Sequence, residues 1–121
     1  MPRPFLDETL IHPAVRQRIA LYHADTLREV QQAVAANAVL VVGMAQNPFP
    51  RRARKALDAA GVAHTYLEYG SYFSDWKRRT ALKMWTGWPT LPMVFVKGTL
   101  VGGADDLAAL IASGELQRML A

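Results

Sequence analysis

The chain has no cysteine, so its own side chains can form neither a disulfide framework, nor a thiolate metal site, nor a nucleophilic thiol. Long apolar runs are missing too. The longest apolar-rich stretch, 33–45, is interrupted by Asn37 and falls short of the ~20 residues a bilayer-spanning helix needs. The start of the chain, Met1-Pro2-Arg3-Pro4-Phe5-Leu6-Asp7-Glu8, has no apolar core of signal-peptide length, which gives the expectation of a soluble, cytoplasmic protein. Histidine is sparse: His12, His23 and His64 are scattered without metal-ligand spacing. There is no glycine-rich phosphate loop of the P-loop type, no recognisable Ser/His/Asp arrangement, and no repeat or low-complexity tract. No aromatic-interleaved basic motif points to nucleic acid.

What is present fits one compact domain. A chain of 121 residues with 51% hydrophobic side chains can bury a core without staples. The net charge of +4 is unevenly placed. Residues 1–50 balance, residues 51–97 carry nine basic against three acidic side chains, and residues 98–121 are net acidic. The middle of the chain therefore offers either a positive field for an anion or simply solvated helix faces.

Periodicity divides the chain further. Pro13 suits the first turn of a helix, and Val15, Ile19, Tyr22, Leu27, Val30 and Val34 recur at helical spacing. Asp25 or Thr26 is a candidate cap for a second helix. The run 38–43 is short, apolar and β-branched, as in a strand buried on both faces. Asn47-Pro48 reads as an N-cap followed by proline at the first helical position, opening a helix through Ala60 that ends at Gly61. A strand is expected over 64–69, then a helix from a Ser74 cap to Trp85 with Gly87 ending it. Two strands, 93–96 and 99–101, flank the turn Lys97-Gly98. Asp105 opens a last helix, which Gly114 closes before a short terminal segment. A strand–helix–strand unit followed by a hairpin gives an α/β fold, a small mixed sheet with helices on both faces.

Two segments carry a family resemblance. Val41-Val42-Gly43-Met44-Ala45-Gln46-Asn47-Pro48-Phe49-Pro50 resembles the strand and loop that bear the active-site motif of glutaredoxins. Trp88-Pro89-Thr90-Leu91-Pro92, spaced from Gly102-Gly103-Ala104-Asp105, is similar to that family's Trp-Pro-Thr-x-Pro run and Gly-Gly-Cys-Asp turn. The likeness spans roughly 25–121, leaving 1–24 as a helical N-terminal extension that could supply a homodimer contact. It is nearest to the single-cysteine (monothiol) members and implies a thioredoxin/glutaredoxin-like fold with a four-stranded mixed sheet.

Laid along the family pattern, the nucleophilic cysteine falls on Asn47 and the second motif position on Pro50. The resemblance implies a glutathione cleft. Pro92 matches a cis-proline, with Leu91 before it offering backbone hydrogen bonds and Thr90 alongside. Gly102 and Gly103 match the turn that lets backbone approach the ligand. Ala104 and Asp105 match the holders of the γ-glutamyl carboxylate and ammonium. Arg79 matches an arginine that pairs with the glycyl carboxylate, assisted by Lys83. The family's lysine ahead of the cysteine has no counterpart in the uncharged Gly43-Met44-Ala45-Gln46.

Without a thiolate, thiol–disulfide exchange is not expected, nor is an iron–sulfur cluster that needs a protein thiolate. Asn47 is either a plain helix cap or a ligand hydrogen-bonder, Phe49 a rim or a partner-contacting aromatic, and Trp85 and Trp88 packing residues or a platform. Three functions stay open: noncovalent binding of glutathione or a γ-glutamyl peptide, a protein-interaction module using the former active face, and a cysteine-independent enzyme that uses glutathione.

Overall fold

The computed structural model describes residues 3–121. A 3-10 turn at Glu8–Leu10 precedes helix α1, Pro13–Leu21. His12 caps α1 by accepting the Ala14 N–H on its imidazole at 3.1 Å, and Pro13 takes the first helical position, where no N–H is missed. Helix α2, Ala24–Ala36, begins directly after His23, which adopts a left-handed backbone at φ 47°. Neither Asp25 nor Thr26 is the cap, because both are already inside the helix. The tight link from α1 moves the start of α2 upstream of them.

Strand β1, Val39–Gly43, leads into helix α3, Pro48–Ala59; then come strand β2, Thr65–Glu68, and helix α4, Trp76–Thr86. Ser74 does not cap α4. Its hydroxyl instead accepts the Ser71 N–H at 3.1 Å, its carbonyl accepts from Arg79 at 2.6 Å, and Asp75 sits at the cap position in a left-handed conformation. Gly87 ends α4 as its pattern predicts. Strands β3, Met93–Val96, and β4, Thr99–Gly102, form the hairpin. Helix α5, Ala104–Ser113, opens one residue earlier than Asp105. The terminal segment is itself helical: α6, Glu115–Leu120, anchored by fully buried Leu116.

The four strands lie in the order β2-β1-β3-β4. β1 runs parallel to β2, with Val41 opposite Tyr66, and antiparallel to β3, with Val41 opposite Val94. β3 and β4 are antiparallel. Every residue of β1 is buried, and alternation sends its side chains into two cores. Leu40 and Val42 meet Val30 of α2 and Leu82 of α4 on one face. Val39 and Val41 meet Ala53 and Leu57 of α3, Leu107 of α5 and Leu116 of α6 on the other. This two-sided burial explains the unbroken apolar run, and it is the α/β arrangement the sequence predicts. Helix α1 buries no residue.

Candidate functional site

The end of β1, the start of β3 and the starts of α3 and α5 meet at one end of the sheet. β1 ends at Gly43, where an added Cβ would lie 2.7 Å from Pro50 Cβ and 2.8 Å from the Tyr66 hydroxyl. Only glycine lets the chain leave the strand this close to α3. Gln46 then turns at φ 61°, and Asn47 caps α3, its Oδ1 accepting the Phe49 N–H at 2.9 Å. Pro50 is buried inside the first turn of α3 rather than turned to the ligand side.

On the β3 side the Leu91–Pro92 peptide bond is cis, matching the position that the motif assigns to it. On the α5 side Gly102, at φ 111°, turns the chain under Asp106, whose carboxylate accepts the Gly103 N–H at 2.9 Å. That leaves the N–H groups of Ala104 and Asp105, in the first helical turn, with no intrahelical acceptor. They sit where the helix dipole favours a negative group.

These elements enclose a cavity of about 470 Å³. It gathers Asn47, Lys83, Thr90, Leu91, Pro92, Gly103, Ala104 and Asp105, all of them named from the sequence. Arg79 is the exception and is a correction. It is only 7% exposed, and its Nη1 donates to the Tyr69 carbonyl at 2.9 Å and the Ser74 carbonyl at 2.6 Å. The guanidinium ties the β2–α4 connection to α4 and does not line the cavity. Among the linings not picked out as site residues from the sequence are Met44, buried at the foot of the loop, Tyr72 from the β2–α4 connection, and Asp106 in the first turn of α5. Tyr72 lies outside both motif segments, in the connection that Arg79 clamps.

Charge in the site is partly paired. Arg52 donates to Asp105 at 3.2 Å, linking α3 to α5 across the cleft mouth, and its guanidinium lies 5.3 Å from the Phe49 ring centre. Both partners are well exposed, so the bridge contributes no more than ~1 kcal/mol and yields to a competing ammonium. Trp88 also lines the cavity, and its indole N–H is buried without a hydrogen-bond partner. Beside the loop, burial and then the hydrogen bond to Glu68 push the Tyr66 hydroxyl up to about 12.

Chemically the site presents backbone N–H groups, a lysine and a carboxylate around a helix cap that has no thiol. Asn47 has a carboxamide where a thiolate would be needed, so the residues present do not fit an iron–sulfur cluster held by a protein cysteine. Among the described residues no cluster of His, Asp or Glu has metal-holding geometry.

Comparison with known proteins agrees with this geometry. The glutaredoxin family model matches residues 39–101. A glutaredoxin-like protein of Dictyostelium discoideum is 50% identical over 95 residues, 78% of this chain and 77% of that one. An uncharacterized monothiol glutaredoxin, ycf64-like, of Synechocystis is 34% identical over 101 residues, 79% of this chain and 92% of its own. A buckwheat glutaredoxin–glutathione complex superposes with a TM-score of 0.69 at 26% identity, covering 86% of this chain and 91% of that one. The fold is thus that of thioredoxins and glutaredoxins, and the chain belongs to the glutaredoxin family while lacking the cysteine that gives the family its chemistry.

Proposed function

We propose that this protein binds glutathione or a γ-glutamyl peptide noncovalently in the cleft and does not carry out thiol–disulfide exchange. The observation that carries this reading is the convergence on one cavity of the Leu91–Pro92 backbone, the free first-turn N–H groups of α5, Asp105 and Lys83, around a helix cap that has no thiol. A glutathione complex is known for a structural relative. In this chain the Leu91 backbone pairs with the cysteinyl unit. The α5 N-terminus and Asp105 take the γ-glutamyl carboxylate and ammonium, and Lys83 takes the glycyl carboxylate in place of Arg79. A cytoplasmic setting, where glutathione is the main thiol pool, belongs to the same reading.

With no mixed disulfide to hold the ligand, affinity rests on a few charge-assisted hydrogen bonds of about 1.5–3 kcal/mol each, set against ordering costs. The dissociation constant then falls between about micromolar and millimolar. The test is titration of ¹⁵N-labelled protein with reduced glutathione. Saturable shifts are expected at Leu91, Ala104 and Asp105, with affinity about tenfold weaker in Lys83→Ala. No shifts at millimolar ligand, or sustained turnover of a low-molecular-weight disulfide by the cysteine-free chain, would overturn the reading.

A second reading, a protein-interaction module, is favoured by exposed aromatics in and after the β2–α4 connection, of which Tyr72 lines the cleft: Phe73 is 91% exposed, and Tyr72 and Trp76 are 59% exposed. It predicts a partner footprint on Phe49 and these residues that does not respond to glutathione.

A further inference from the structure

We propose that the cleft selects glutathione whose sulfur already carries an apolar substituent, a thioether S-conjugate, over the free thiol. The inference rests on the glutathione-binding reading above and concerns what stands around the ligand's sulfur. Asn47 occupies the position that faces it. Its Oδ1 is committed to the Phe49 N–H at 2.9 Å, so the amide presents only its NH₂ to the cavity, a donor without a basic partner.

A free thiol gains little there. Stabilising its thiolate needs an adjacent cation or base, and the loop Gly43-Met44-Ala45-Gln46 supplies neither. The cations that border the cavity have other roles in the glutathione-binding reading: Lys83 takes the glycyl carboxylate, and Arg52 is exposed at the cleft mouth against Phe49 and Asp105, with no hydrogen bond to Asn47. A thioether has no proton to place, and its sulfur accepts rather than donates.

The surroundings favour an apolar substituent. Met44, Phe49 and Tyr72 line the same cavity as Asn47. Phe49 and Tyr72 are 44% and 59% exposed. A chain leaving the sulfur beside Asn47 covers these two rings, and the free energy of that contact scales with the apolar area removed from water. The protein neither makes nor breaks the carbon–sulfur bond; it holds the conjugate.

Calorimetric titration with reduced glutathione, S-methylglutathione and S-hexylglutathione, alongside amide shift mapping, tests this. The hexyl conjugate is expected to bind about tenfold or more tightly than glutathione, with the methyl conjugate between them. Shifts at Asn47 and Phe49 should appear beyond those at Leu91 and Ala104. In Phe49→Ala the hexyl conjugate should lose more affinity than glutathione does. Saturable glutathione binding with an equal or weaker hexyl conjugate overturns the selectivity and leaves the proposed function standing. Hexyl-conjugate binding whose shifts lie away from Leu91 and Ala104 is apolar adsorption and overturns it as well. No response to any of the three ligands at millimolar concentration removes both readings.

Discussion

Arg79 and Asn47 show how differently two side chains of one site can be read from sequence. Asn47 acts on the residues that follow it, accepting the Phe49 N–H just before a proline, so its role as a cap was legible in a few letters. Arg79 acts on carbonyls of Tyr69 and Ser74, brought to it by the fold of the β2–α4 connection, and no local pattern announces that. Motif matching assigned it to the ligand; burial assigns it to the scaffold. Arg79→Ala is therefore expected to cost about 2–3 kcal/mol of stability, because the buried Tyr69 carbonyl and the part-buried contact to the Ser74 carbonyl lose a charged donor. Urea denaturation of the variant measures this. A variant as stable as the parent would return Arg79 to the cleft.

At the scale of elements, the strands and the starts of α3 and α5 were readable because each has a local cause: β-branched runs, a capping residue before proline, glycine at a turn. The entries to α2 and α4 were not. His23 and Asp75 both begin helices from left-handed backbone without a side-chain cap, a choice made by the packing of the neighbouring elements. α6 is six residues long and exists because Leu116 reaches the core. Strand β2, at the sheet edge, carries the clearest pH signature. Tyr66 lies under the Arg54 guanidinium, 4.1 Å from its ring centre, donates to Glu68 at 2.9 Å, and has its pKa raised from 10.0 to about 12. A proton held more tightly in the folded state stabilises that state relative to an unfolded chain that has released it only up to the unfolded value. Stability is thus intact below pH 10 and declines as pH rises from 10 toward 12. Tyr69, whose hydroxyl donates to Glu29, adds to the fall in the same direction. Denaturation curves between about pH 9 and 11 should show this decline, shallower in Tyr66→Phe. An equal slope in the variant would assign the fall elsewhere.

For the molecule as a whole, the basic middle of the sequence does not become one basic patch. Its charges divide between α3 and α4, which cover opposite faces of the sheet. Several are spent internally: Arg79 on carbonyls, Arg52 on Asp105, Arg54 on Tyr66, Arg78 near Asp75. Sequence counts the charges and cannot see their pairing. The field at the cleft is accordingly modest, and glutathione affinity is expected to fall only about two- to threefold between ~0.05 M and ~0.3 M salt. Isothermal titration across that range checks it. A loss of about a thousandfold or more would instead mark a polyanion-binding surface.

Freedom from cysteine also changes how the molecule ages. A thiol-bearing relative meets peroxide as a reactant, passing through sulfenic acid to disulfides or to irreversible sulfinic and sulfonic acids. This chain has only methionine sulfur to offer. Met93 and Met44 are shielded at 1% and 7% exposure, and Met84 on α4, 52% exposed, is the most accessible methionine among the described residues. Among the described residues oxidation is expected first at Met84, which does not line the cleft, as a reversible sulfoxide, and the cap at Asn47 offers no sulfur to the oxidant that would silence a redox-active neighbour.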